Sequence, residues 1–542
     1  MVERGMARNR ARRALALNPK PQGKGKERTC LRFCFASVLD CFPSLLLFWI
    51  ASLPCFLPTM APKRRPSARS SRNAPPPATS AESLLAEARR VKQAAERKLD
   101  GAAKVGSLEQ AVLLFQNALS MRLSLPVQEE ALFDLGETFL EMAGALQTRG
   151  LHLAGSPFRN EKKKAQALEI QSQASVDASS ATRQSFEMYE RVCALEGAGE
   201  LKQEALVNSG NALCEWASLA TSTPENKGGG SVIAAELYKQ ADERYSRALA
   251  VTPEDVELLT NIGDCCVQRA ELFHSAFQVS GVSNVSLQAW APVKEIYEHG
   301  LQVYNKACAN ADTRIGDDLG GLLQNWGVGL SSFAERTPCM EDANEAYKQA
   351  HEKFRSALQF KRTDITLFIA LGESFASQAE RIAADPAMLQ QTLKLLEEAV
   401  NTGFAAALTI DSTSVEALLG SGDAHMAAGK LLASSGNLAI ASTHWNKSLE
   451  VFTKASKLLA ADVECKYKLS YEEQCDVLYN LACVAALHGQ EADAANALNQ
   501  LALTEAISAY DLVQDADLET LRSKEWFGSL LQNKSTGSNM KE

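Results

Sequence analysis

Apolar residues recur along this chain with a helical period, and no long alternating run interrupts them. Leu259, Ile262 and Cys266, and again Phe368, Leu371 and Phe375, stand at i, i+3 and i+7, one face of a helix. A small residue is embedded in that face each time, at Gly136, Gly210, Gly263, Gly327, Gly372, Gly422 and Ala482. Glycine inside a helix costs about 1 kcal/mol relative to alanine, so the pattern predicts a close approach by a neighbouring helix there. A second pattern places a ring between small residues: Ala111/Phe115/Ala118, Ala241/Tyr245/Ala248, Gly300/Tyr304/Ala307, Ala350/Phe354/Ala357 and Ser448/Phe452/Ala455. Tyr189 and Phe404 hold the ring position in two further units. Each ring reads as a knob for a neighbouring helix.

The two patterns alternate, and their spacing is not random. Tyr245 to Gly263, Phe354 to Gly372 and Phe404 to Gly422 are all steps of 18 residues, while the other joints measure 21, 21, 23 and 30. In the sequence Ala248 to Asp255, Pro253 falls just past one helix and just before the next, where a proline is tolerated. On these residues the chain resembles the tetratricopeptide repeat family over roughly positions 107 to 503. The resemblance implies an all-α fold, an α-solenoid of antiparallel helix pairs stacked into a superhelix, here about seven or eight of them. The family unit is about 34 residues, yet the step from small residue to ring within a pair is 53, 35, 41, 27, 32 and 30 before shortening to 16 at Ala482 to Leu498. The extra residues therefore lie between the two helices of each pair. They are expected as lengthened helix, as in the polar stretch Gln171 to Ser185, or as a flexible break, as in Thr223 to Ser231.

Composition sharpens this picture. Apolar residues make up 46% of the 542, with an Ala/Leu/Glu/Lys-rich texture, which suits an all-α repeat array that grows without a central core. Charge divides the chain: residues 1–79 hold 15 Lys/Arg against three acids, and the remainder holds 41 basic against 62 acidic residues. An acidic body is a poor partner for nucleic acid or an anionic bilayer. Five domains are expected: a basic and apolar leader at 1–59, a disordered Pro/Ser-rich linker at 60–79, the repeat domain at 80–510, a capping helix at 511–532, and a disordered tail at 533–542.

The leader allows three readings. Its apolar run between Pro43 and Pro54 is ten residues, whereas a bilayer needs about 20. A targeting segment, a membrane anchor over residues 31–58, and upstream sequence before a start at Met60 all remain open. Membrane contact is expected only through this segment.

Chemistry is sparse by comparison. Thirteen cysteines are scattered without a CxxC pair, so neither a disulfide framework nor a zinc site is expected, and an intracellular, reducing compartment fits. The seven histidines show no metal spacing, and the glycine run at 228–230 lacks the Lys-Ser/Thr terminus of a phosphate loop. No metal, no cofactor and no catalytic residue are expected; an enzyme or an RNA-processing repeat protein is the least favoured class. His425 takes an apolar place on the packing face and reads as a hydrogen-bonded core histidine.

The functional signal is a polar column. Two residues before the small residue stand Asn208, Asn261, Asn325 and Asn480, with Asp134 at the same place and Ala370 and Gly420 interrupting. In the family that helix lines a concave groove, so the resemblance implies that these amides hydrogen-bond an extended peptide; the alternative is that they tie neighbouring helices together. Beside Asn208 and Asn261 lie Glu204, Glu257 and Asp264. Acids there oppose the carboxylate tails that some family members hold with Lys and Arg, and favour a basic or neutral partner peptide. The reading is a protein-protein interaction scaffold or assembly factor, with a membrane-tethered adaptor as the alternative.

Overall fold

The computed structural model describes residues 80–538 apart from 99–100, 155–160, 196–199, 223–229, 280–286, 312–315, 461–470, 503–506 and 508. The expectations for residues 1–79 lie outside the described residues. Those described are helical, with no strand among them.

Helices pair in chain order. The hairpins are α1 (Ala81–Glu96) with α2 (Gly101–Leu119), α3 (Leu125–Ala154) with α4 (Glu161–Ala194), and α5 (Glu200–Ser222) with α6 (Gly230–Leu249). They continue with α7 (Val256–Val279) and α8 (Leu287–Asn310), then α9 (Gly316–Arg336) and α10 (Met340–Phe360). In the next pair α11 (Ile365–Ile382) packs on α12 (Leu389–Glu398), which runs through a π-helical turn (Ala399–Phe404) into α13 (Ala405–Ile410). The last two pairs are α14 (Val415–Ser434) with α15 (Leu438–Ala460) and α16 (Tyr471–His488) with α17 (Glu491–Ala502). This is a tetratricopeptide-like α-solenoid.

The family pattern becomes legible near position 107, at Phe115, ahead of its first glycine. The sequence pattern gives this ring no small residue on a first helix of its own, since Gly136 belongs to the next pair. In the structure Phe115 lies on α2, is wholly buried, and shares its cluster with Ala88 of α1 as well as Ala111 and Ala118. α1 and α2 therefore form a complete hairpin, in which Ala88 stands where the later pairs carry glycine. The array begins earlier than the glycines indicate.

The glycine and ring patterns meet within each of the next six hairpins. A Cβ added to Gly136 would lie 2.9 Å from the ring of Tyr189, and the same addition brings Gly210 to 2.5 Å from Tyr245, Gly263 to 2.6 Å from Tyr304 and Gly327 to 2.8 Å from Phe354. Gly372 would come to 3.0 Å from Phe404 and Gly422 to 2.5 Å from Phe452. Real Cβ atoms essentially never sit below 3.0 Å, and 3.0 Å is at the tight edge of real contacts, so each glycine is the socket for its partner ring. Where the partner is the smaller Leu498, the socket is Ala482, and both are buried. The small residue four places before the ring completes the crossing: Ser185 and Ser448 each donate to a signature carbonyl, of Gly136 and Gly422, at 2.8 Å. In the sixth hairpin Ala399 stands five places before Phe404, and the π turn absorbs the extra residue.

The three 18-residue joints share one construction. Ten residues after the ring comes an N-cap, and eight residues after the cap comes the glycine. Asp255 accepts from the Leu258 amide at 3.1 Å, Asp364 from the Thr366 amide at 3.0 Å, and Ser414 from the Ala417 amide at 3.4 Å. Each cap satisfies a backbone donor that the helix start would leave orphaned. Gly436 and Gly489 end α14 and α16 with φ of 86° and 79°, and the following amides reach back to Leu432 and Ala485 at 2.8 Å.

The inserted residues appear mainly as lengthened helices, most of all in α3 and α4, of 30 and 34 residues. Gln171 to Ser185 lies inside α4. Most of the expected break at Thr223 to Ser231 falls outside the described residues, while Gly230 and Ser231 already open α6.

Two boundaries at the C-terminus are corrected. The expected capping helix over 511–532 is instead α18 (Ala509–Gln514), a 3-10 turn (Ala516–Leu521) and α19 (Glu525–Ser538), so the segment is jointed and helix continues past 532. Asp515 caps the 3-10 turn by accepting from the Asp517 amide at 2.8 Å, which breaks the helix there. Leu518, Leu521 and Phe527 close over Ala482, Leu498 and Leu501, with Trp526 packed on the same cluster. Trp526 donates its indole N–H to Glu491 at 2.8 Å. A solenoid needs such a lid, because its terminal hairpin has no neighbour.

Candidate functional site

The face of interest is formed by the first helix of each pair. α1 packs on α3, α3 on α5, α7 on α9, α9 on α11, α11 on α14 and α14 on α16. Between α5 and α7 the contact is marked by Cys214 and Cys265, whose sulfurs are 3.3 Å apart.

A polar seam runs across these helices in a fixed register. The residue just after one signature position meets the residue two before the next. Arg89, after Ala88, donates to Asp134 at 2.6 Å; Asn325 donates to Asp264, after Gly263, at 3.1 Å; Asn480 donates to Asp423, after Gly422, at 3.0 Å. At the corresponding place in the fifth and sixth hairpins the two residues are Val328 and Ala370, both apolar. Gly420 interrupts the column for a different reason, since a Cβ there would run into the ring of Phe404. Further bonds extend the seam: Lys92 to Glu137 at 2.6 Å, Gln147 to Glu215, Ser332 to Glu271, and Ser331 to Ser374 at 2.8 Å.

This register divides the asparagine column. Asn325 and Asn480 each direct the amide nitrogen to a carboxylate of the preceding hairpin, and Asp134 receives Arg89. Asn208 accepts only a long bond of 3.4 Å from Asn211, whose own carbonyl oxygen takes the Tyr245 hydroxyl at 2.7 Å. Asn261 makes no side-chain hydrogen bond among the described residues; the residue facing it in the register is Asn211, whose carbonyl oxygen takes the Tyr245 hydroxyl. Both are half-buried, and Glu204 and Glu257 beside them are exposed. Asp264 is drawn into the seam by Asn325 and by the Tyr304 hydroxyl.

Two groupings escaped the sequence reading. His425 and His444, on α14 and α15, bring their Nδ1 atoms within 3.3 Å, so these histidines are not isolated from each other. Burial, then the facing His444 and Lys447, lower His425 to about 4. The other grouping is the thiol pair Cys214 and Cys265; the Tyr245 hydroxyl lies 3.7 Å from Cys214. Both groupings come from separate helices, and the signal that locates them is the signature register: His425 is three places after Gly422, Cys214 four after Gly210, and Cys265 two after Gly263.

No helix among the described residues is long and apolar enough to cross a membrane. No family model matches the chain, and no curated protein matches it in sequence. Among solved structures, the nuclear import adaptor Nro1 of S. pombe is similar at 13% identity over 64% of this chain and 98% of its own, with a TM-score of 0.37. YrrB, described as a TPR protein with an unusual peptide-binding site, is similar at 17% identity over 45% of this chain and 93% of its own, with a TM-score of 0.22. Human IFIT1, solved as a dimer with PPP-AAAA, is similar at 12% identity over 84% of this chain and 94% of its own, with a TM-score of 0.26.

Proposed function

We propose that the protein is a helical-repeat scaffold that binds a protein partner along the face built by its first helices, with the α5 and α7 portion as the peptide contact. The observation that carries this reading is the division of the asparagine column. Asn325 and Asn480 spend their donors on the seam, whereas Asn208 and Asn261 keep amide groups for a ligand. A primary amide donates and accepts at once, so it pairs with a peptide backbone whatever its side chains. Glu204 and Glu257 flank the pair as exposed carboxylates and favour a basic or neutral peptide over an acidic one. The scattered cysteines support an intracellular, reducing location.

Fluorescence anisotropy of the full chain with basic, neutral and acidic peptides of matched length tests this. Basic peptides should bind most tightly and weaken with salt. Asn208→Ala/Asn261→Ala should lose at least about tenfold in affinity, since hydrogen-bonded contacts are worth about 1–3 kcal/mol. Preference for acidic peptides, or binding indifferent to both asparagines, would end the proposal. Steeply salt-dependent binding of RNA in place of peptide would favour the nucleic-acid class instead.

A further inference from the structure

Three side chains with metal-binding chemistry meet where the third hairpin joins the fourth. Asp242 on α6, Cys266 on α7 and His299 on α8 each present one donor atom, and a carboxylate oxygen, the thiol sulfur and a ring nitrogen all lie within 4.8 Å of one another. A tetrahedral ion with bonds of about 2.0–2.3 Å holds its donors about 3.3–3.8 Å apart, within reach of that spacing by small side-chain rotations. Residues 24 and 33 apart in sequence form no local motif, which is why cysteine and histidine spacing gave no sign of the site.

The repeat packing holds the backbone at this point. Cys266 follows Gly263 by three, Asp242 follows Ala241, and His299 precedes Gly300. Gly300 is pressed so close that a Cβ on it would lie 2.9 Å from the Cβ of Cys266, and 3.2 Å from the Gly263 carbonyl. The same three positions one hairpin earlier are Phe186, Leu213 and Gln240, and one hairpin before that Val112, Phe139 and Gln184. A cysteine alone on this face would be ordinary packing. Here a carboxylate and an imidazole flank the cysteine; at the joint of the fifth and sixth hairpins the same positions are His351, Phe375 and Glu398, with no thiol between them.

Asp242 is half-buried, and Ser246 donates to its Oδ1 at 3.3 Å. Cys266 is 2% exposed, and His299 is exposed.

We propose that Asp242, Cys266 and His299 bind one divalent ion of the zinc class, with the fourth position open on the side of the exposed His299. Thiolate, imidazole and carboxylate together select zinc or cobalt over magnesium or calcium. Binding forms bonds from sulfur, nitrogen and oxygen to the ion, and the thiol proton passes to solvent. The ion links α6, α7 and α8, the two hairpins that also carry Asn208 and Asn261.

The test is titration of the reduced, chelator-treated full chain with Co2+ alone, followed by Zn2+. The expected result is one Co2+ per chain, with thiolate-to-cobalt charge-transfer absorption and the strong visible bands of a tetrahedral site, abolished by Zn2+. Cys266→Ser should remove the charge-transfer band. His299→Ala changes an exposed side chain, so the fold is kept, and it should weaken binding at least about tenfold. Cys214→Ser/Cys265→Ser should leave the spectrum unchanged. Absence of the charge-transfer band, or a band that survives in both Cys266→Ser and His299→Ala, overturns the proposal.

Discussion

Gly210 on α5 faces Tyr245 on α6 so closely that one added methyl carbon would sit 2.5 Å from the ring's Cε1. Beyond that contact the ring reaches the neighbouring residue, and its hydroxyl donates to Asn211 at 2.7 Å. Glycine is therefore retained in mid-helix for lack of space. Gly210→Ala should destabilise the protein by about 1–3 kcal/mol, overpacking outweighing the gain in helix propensity. Gly106 and Gly144 supply the contrast, being helix positions with nothing within 4 Å of an added Cβ. Alanine at either should stabilise by about 0.5–1 kcal/mol. Urea unfolding of the three variants measures the difference in sign.

The seam makes a second prediction. Asn480 is 8% exposed and directs its amide to Asp423 on the preceding first helix. Asn480→Ala should cost about 1–3 kcal/mol, the usual penalty when a partner is removed from a buried polar group. Asn261→Ala removes no such bond and should stay within about 0.5 kcal/mol. Equal losses in chemical denaturation would show that both asparagines serve the seam.

His351 provides a pH signature. It is 5% exposed, stacks on Phe375 with 3.8 Å between ring centres, and its Nε2 has no hydrogen-bond partner. Burial, then Arg355, hold this imidazole at about 4, while a hydrogen bond with the Ser374 backbone opposes them. Tyr347 stacks beside it at 6.4 Å. The unfolded chain, with an ordinary value of about 6.5, takes up this proton first as pH falls. The contribution is therefore complete above about 6.5 and is lost progressively as pH drops toward 4, on the order of 3 kcal/mol in all. His351→Leu should flatten the pH dependence of the unfolding midpoint in that window and leave stability at pH 8 equal or higher. Unchanged pH dependence would contradict it.

The lid at the C-terminus should be needed by the hairpin beneath it. Phe527 is wholly buried against the cluster of α16 and α17. Phe527→Ala should cost about 3–5 kcal/mol, and hydrogen exchange should show the loss first in α16 and α17, because repeat arrays fail locally.

Much of this architecture is legible in the sequence because close packing leaves discrete marks. A ring, a capping residue ten places on and a glycine eight places further specify second helix, turn and first helix in three joints. The seam is legible too, once the residue after one glycine is compared with the residue two before the next, as Asp264 with Asn325. What stayed hidden is whatever depends on the rotation of one helix against another: the pairing of His425 with His444, of Cys214 with Cys265, and the convergence of Asp242, Cys266 and His299. The first hairpin was obscured because the partner of Phe115 is Ala88, which, unlike glycine, leaves no propensity penalty to notice. At the C-terminus the capping segment expected over 511–532 misses the break that Asp515 introduces.

Successive first helices lie side by side, and the thiols of Cys214 and Cys265 measure that placement across α5 and α7. Treatment of the native full chain with diamide, followed by peptide mapping, should yield an intramolecular disulfide between these two residues, with two hydrogens lost to the oxidant. Cross-links from either cysteine to some other partner, with none between the two, would contradict the arrangement of the hairpins.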